Sequence, residues 1–94
     1  MADMRALVER MRRDFLPRLA PGDQSIVNSE LDFSDDIDMA LDDMLQFSLV
    51  SGVPMPTDMV DEAEAVLNSG DCDPELADRT RGWINQHRTR LAAA

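Results

Sequence analysis

The first apolar positions of the chain recur at helical spacing. Met4, Leu7, Val8, Met11 and Phe15 fall on one face at steps of three and four, with Arg5, Arg10, Arg12 and Arg13 outside it. The spacing predicts an amphipathic helix from Asp3 to about Leu16. Pro17 and the turn-forming run Ala20-Pro21-Gly22-Asp23 mark its end. From Gln24 to Phe33 the pattern is mixed: Ile26, Val27, Leu31 and Phe33 stand among Ser, Asn and Asp. A short helix capped by Asp23 accounts for this, as does an irregular connector that tucks two or three side chains into the core. The short helix is the expectation.

A second long helix is expected from Ser34, a good N-cap residue, with Asp35, Asp36 and Asp38 facing the positive end of the helix dipole. Ile37, Leu41, Met44, Leu45 and Ser48 form its buried stripe. Phe47, Leu49 and Val50 make its end apolar nearly all round, which places that end at the bundle centre. Gly52 and Pro54 stop it. Thr57 caps a third helix whose inner face is Met59, Val60, Ala63, Val66 and Leu67, and Gly70 suits its C-terminus. The last helix opens with Asp73 as cap and Pro74 at the first helical position. Leu76, Thr80, Trp83, Ile84, His87 and Leu91 share its inner face, while Arg88 and Arg90 suit the negative end of its dipole.

The expected fold is all-α: a compact antiparallel bundle of four main helices, with a short extra helix in the 24–33 connector. Strand signals, internal repeats and low-complexity runs are lacking. A chain of 94 residues has room for one domain, read as 1–94, with one core and little space for an enclosed pocket. Residues 92–94, all Ala, read equally as native sequence or a cloning remnant.

Charge changes the picture more than composition does. Nineteen acidic residues against nine basic ones give a formal net charge of −10, and every basic residue is Arg. Between Leu19 and Asp78 there are sixteen Asp and Glu and no cation. Folded surfaces normally intersperse both signs. Such a field repels nucleic acid and anionic membranes and steers basic partners inward. The five Arg among the first eighteen residues share that stretch with Asp3, Glu9 and Asp14, so they read as a solvated helix face placed to pair with the acidic middle. No direct contact with nucleic acid or membrane is expected. Arg-only usage hints at a GC-rich bacterial or phage source.

The single Cys72 gives no internal disulfide, no apolar run approaches the ~20 residues of a membrane span, and the charged start lacks a signal-peptide pattern. The expected location is the cytoplasm.

Chemistry-bearing sets are sparse. Cys72 and His87 are each alone of their kind, so no zinc set can be written. Ile37 and Leu76 stand where a calcium loop starting at Asp32 or Asp71 needs its glycine. His87 on an apolar stripe reads as a hydrogen-bonded core residue, and Cys72 between Asp71 and Asp73 reads as an unreactive thiol. With no Lys there is neither a phosphate loop nor Schiff-base chemistry. No catalytic residue, metal ligand or cofactor is assigned, and an enzyme is not expected.

What remains is an acidic ridge on the second helix. Steps of 100° put Asp35, Asp38 and Asp42 on one flank of the buried stripe and Asp36 and Asp43 on the other, with Met39 and Gln46 on the outer face between them. An exposed Met framed by carboxylates is arranged like an interface anchor within a charged rim, although a solvated face with one stray Met fits equally. The expected partner-binding set is Asp35, Asp38, Met39, Asp42, Asp43 and Gln46. In size, acidity and helical build the chain resembles small inhibitors of basic or nucleic-acid-handling proteins: bacterial toxin immunity proteins, antitoxins and phage-encoded inhibitors of host defence. The resemblance is one of class, carried by no motif. It implies a protein partner with a basic surface. The alternative is a helical adaptor or regulatory subunit that binds a larger assembly through an apolar groove, for which seven Met would suit. Oligomeric state is left open.

Overall fold

The computed structural model describes residues 3–70 and 72–93 of the chain, and Ala93 only as backbone. Asp71, read above as one of two carboxylates flanking Cys72, lies outside the described residues, as do Met1, Ala2 and Ala94. All regular structure among the described residues is helical: α1 (Met4–Asp14), a single 3-10 turn (Leu16–Arg18), α2 (Pro21–Asp32), α3 (Ile37–Ser51), α4 (Thr57–Asn68) and α5 (Pro74–Ala93).

Helix α1 follows its stripe. Asp3 caps it by accepting a hydrogen bond from the Ala6 N–H at 3.3 Å, and Met4, Leu7, Val8, Met11 and Phe15 are all buried. Pro17 ends it through the 3-10 turn. The next segment departs from expectation. Residues 21–32 form a full helix rather than a short piece, because Pro21 occupies the first helical position, where its missing N–H costs nothing. The cap position is Ala20, and Asp23 lies inside the first turn.

Helix α3 starts two residues later than the cap at Ser34 would require. Asp35 takes a left-handed conformation (φ 48°), which no helix can continue through, and the Asp36 N–H turns back to the Glu30 carbonyl at 2.9 Å. Asp36 is therefore the N-cap, accepting from the Met39 N–H at 3.2 Å. The end of α3 is also corrected. Val50 is 77% exposed, and it is the middle, Ala40 through Leu45, that is buried without a break. Gly52 (φ 74°) closes the helix in the left-handed conformation that glycine adopts freely. In α4 the cap position is Pro56, and Thr57 is the first helical residue. Its whole expected inner face is buried.

Helix α5 begins as expected: Asp73 Oδ1 accepts from the N–H groups of Glu75 (2.9 Å) and Leu76 (3.4 Å). Thr80, Ile84 and His87 are buried, Leu76 and Trp83 are half-buried against the core, and Leu91 is exposed rather than inward. Helix α3 packs most extensively on α5 and also on α1 and α2, while α4 packs on α1 and α5. Contacts climb both helices together, from Asp38–Asp73 through Asp42–Thr80 to Leu49–Arg90, so α3 and α5 run in the same sense. Helix α4, which follows α3 in sequence, runs antiparallel to α5. The radius of gyration, 12.2 Å, is that of a close-packed chain, about 12 Å for this length. No described helix is long and apolar enough to cross a membrane.

Candidate functional site: an acidic groove between α3 and α5

The ridge read from the sequence does not form as one surface. Asp42 is fully buried and Asp43 is 8% exposed, so neither carboxylate is presented to a partner. The reason is the position of α3. A helical wheel places both residues on flanks of the apolar stripe, but α5 covers one flank and α2 the other. Asp42 accepts the Thr80 hydroxyl at 2.8 Å and lies 2.6 Å from the Arg79 guanidinium, whose distance to Asp43 is 3.8 Å. Gln46, half-buried, accepts from the same guanidinium at 3.4 Å. These groups compensate one another's charge inside the α3–α5 contact, where Asp42 Oδ2 has its ion pair with Arg79 but no hydrogen bond among the described residues.

Asp43 also faces Glu30 of α2. Burial, a hydrogen bond with Asp43 and the charges of Asp43, Asp36 and Asp42 push the Glu30 carboxyl up to about 8. Asp43 is raised as well, by burial and by Asp42, against the opposing effects of Glu30 and Arg79. At neutral pH the pair therefore holds a proton across the α2–α3 contact.

Asp35 is exposed and engages Arg5 at 3.1 and 3.2 Å. Other arginines take up neighbouring acids: Arg12 holds Asp32 at 2.8 Å, Arg10 reaches Asp58 and Glu62, and Arg88 reaches Asp61 and Glu64. This is the pairing of the basic first helix with acidic neighbours that the sequence suggested.

Two members of the expected set, Asp38 and Met39, do border open space. They line a groove of about 540 Å³ with Asp36, Asp73, Glu75, Leu76 and Arg79. Its build follows from two helix starts lying side by side. Asp36 caps α3, Asp73 caps α5, and Asp38 accepts the Asp73 N–H at 3.3 Å, tying one start to the other. Among the described residues, Asp36, Asp38, Asp73 and Glu75 form no ion pair, and the one arginine on the rim is already bound to Asp42. The groove thus presents four uncompensated carboxylates around the half-buried Met39 and Leu76. Sequence reasoning missed Asp36, Asp73 and Glu75 as site residues. The signal lay in their N-terminal placement on α3 and α5, but nothing in one chain shows that these two starts adjoin.

The lone chemical groups lie elsewhere or are quenched. His87 is 4% exposed and its Nε2 lies 2.9 Å from the Leu45 carbonyl, which fixes the tautomer with Nε2 as donor. Burial lowers its pKa, and the nearby Arg90 lowers it further. Cys72 is buried under the groove, where burial first and then the Asp38, Asp73 and Asp42 charges push the thiol up to about 11. Among the described residues no group of three or more His, Cys, Asp or Glu is placed to hold a metal ion. Comparison with protein-family models, with curated proteins and with solved structures found no match to this chain.

Proposed function

We propose that the chain is a small acidic binding protein that inhibits a basic or nucleic-acid-handling protein by occupying its cationic surface, in the manner of a toxin immunity protein, an antitoxin or a phage-encoded inhibitor. The observation that supports this is the groove between α3 and α5. Its four carboxylates have no arginine of their own, while nine other carboxylates among the described residues do. A lysine or arginine of the partner would lay its apolar stem across Met39 and Leu76 and place its charged head among Asp36, Asp38, Asp73 and Glu75. Charge of one sign at such a rim accelerates association and rejects partners of the same sign.

The test is an NMR titration of isotope-labelled protein with an arginine-rich peptide and with its citrulline analogue, which keeps the shape and removes the charge. Shifts should centre on Asp38, Met39 and Glu75, be absent with citrulline, and fade as salt is raised. Asp38→Asn with Glu75→Gln keeps the acceptors and should abolish the response, while Glu9→Gln with Asp23→Asn, outside the groove, should leave it. Equal weakening by both pairs would mean that only net charge attracts the peptide, and the groove would not be the site. A partner bound through an apolar groove, the adaptor reading, would instead bind with little dependence on salt.

A further inference from the structure

The apolar residues of α2 and of its C-cap, Phe33, point in two directions. Val27 and Leu31 are buried, yet Ile26 is 49% and Phe33 88% exposed. Phe33 is the most exposed large apolar side chain described. On an ideal helix Gly22, Ser25, Ile26, Ser29 and Phe33 fall within roughly 100° of circumference, and all five are exposed. That arc carries no charge, in a chain with 30% charged residues.

The order along the arc is what identifies the occupant. Gly22, Ile26, Ser29 and Phe33 alternate small and large at spacings of four, three and four. Read backwards, the spacings are the same but large and small exchange places. A second α2 laid antiparallel on the first therefore sets Phe33 over Gly22 and Ile26 over Ser29, twice each, about one two-fold axis. Gly22 leaves the room this needs, since a Cβ built there meets nothing within 4 Å. We propose that this face of α2 is the contact surface of a symmetric homodimer formed by two antiparallel α2 helices.

Charge permits this approach here and opposes it at the groove. Two chains of formal charge −10 repel. Around α2, however, Asp32 is held by Arg12 and Asp35 by Arg5. Glu30 keeps its proton near neutral pH. Of the carboxylates on α2 only Asp23 remains uncompensated, and it lies off the uncharged arc. A helix of twelve residues offers well under the ~800 Å² per partner of a standard interface, so the dimer is weak.

This dimer uses a face distinct from the groove, so its failure would not touch the functional proposal. Sedimentation equilibrium of the whole chain, from ~10 μM to ~1 mM, should show a reversible monomer–dimer equilibrium that tightens when salt is raised. Phe33→Ser should shift it at least about tenfold toward monomer. Gly22→Leu is the sharper variant, because it adds apolar surface without a clash in the single chain but fills the slot for Phe33. It too should favour monomer, with far-UV circular dichroism unchanged. A wild-type chain that stays monomeric at 1 mM, a dimer that neither variant weakens, or association strengthened by Gly22→Leu would each overturn the proposal.

Discussion

Asp42→Ala is the substitution that most directly tests where the acidic ridge went. The side chain is fully buried, accepts the Thr80 hydroxyl at 2.8 Å and lies 2.6 Å from the Arg79 guanidinium. Removing one partner of a buried ion pair costs ~3–5 kcal/mol when the other is left stranded. Arg79 is not stranded: its side chain is 48% exposed and keeps Asp43 at 3.8 Å. The Thr80 hydroxyl can turn to the Leu76 carbonyl, 2.9 Å away. The expected loss is therefore ~2–3 kcal/mol, mostly the lost hydrogen bond and the cavity. For a domain of this size each kcal/mol lowers Tm by roughly 4–8 °C, giving a fall of roughly 8–24 °C. Asp42→Asn keeps an acceptor for Thr80 and should lose about half as much. Urea unfolding followed by far-UV circular dichroism gives the free energies, and a double-mutant cycle with Thr80→Val should return a coupling of about 1 kcal/mol. If Asp42→Ala unfolds within ~0.5 kcal/mol of wild type, as a surface substitution would, then Asp42 is exposed, α5 does not cover that flank, and the original ridge stands.

Other outcomes follow from the buried groups. Glu30 titrates near 8 in the folded chain against 4.5 ordinarily, so the folded state keeps a proton that the unfolded state gives up. Its stability contribution is complete below about pH 4.5 and drains as pH rises through 8; Glu30→Gln should raise the urea midpoint at pH 8.5 and flatten its decline from pH 5 to 8, and a variant with the wild-type slope would refute the shared proton. His87 has the opposite sign: its lowered pKa means stability lost as pH falls below about 6.5, and an NMR titration of its ring should find a midpoint under 6.5. Native Cys72 should react with a disulfide reagent at pH 8 at least about a hundredfold slower than the unfolded chain does; equal rates would mean an open thiol. The Trp83 indole N–H is buried without a hydrogen-bond partner among the described residues, so Trp83→Phe should cost much less than the ~3–5 kcal/mol of Trp83→Ala.

Where a helix buries one face and wets the other, its role was readable from residue spacing alone. Helices α1 and α4 are of this kind, and every inner-face residue assigned to them is buried. The two misreadings share a physical cause, which is that neither α2 nor α3 is a one-faced helix. Helix α3 is enclosed by α1, α2 and α5, so polar residues on its flanks are covered as thoroughly as its stripe. A wheel assigns Asp42 and Asp43 to flanks correctly and still cannot say what lies against them. The clue present in the chain is Ala40, a small residue beside the stripe that lets a neighbour approach, and it is fully buried. Helix α2 fails the other way. Counting its C-cap Phe33, two of its apolar residues face in and two face out, which weakens the periodicity and hid the length of the helix, though not its presence.

The distribution of arginines then explains why an acidic chain can be both folded and selectively charged. The first helix supplies Arg5, Arg10 and Arg12 to carboxylates of α2, the α2–α3 joint and α4, and α5 supplies Arg79 and Arg88 to α3 and α4. Most acids that face another helix are neutralised this way. Of those left over, Asp36, Asp38, Asp73 and Glu75 lie together at the starts of α3 and α5, where the positive end of each helix dipole already stabilises negative charge. Asp36 and Asp73 turn one oxygen to backbone N–H groups and keep the rest of the carboxylate for solvent. The same residues therefore support the fold and hold an unspent negative field at one edge. Removing charge there need not cost stability: an Asn at either cap retains the hydrogen bond and loses only the field. Charge and folding can thus be separated at this edge, whereas at Asp42 they cannot, and that separability is what the proposed partner surface requires.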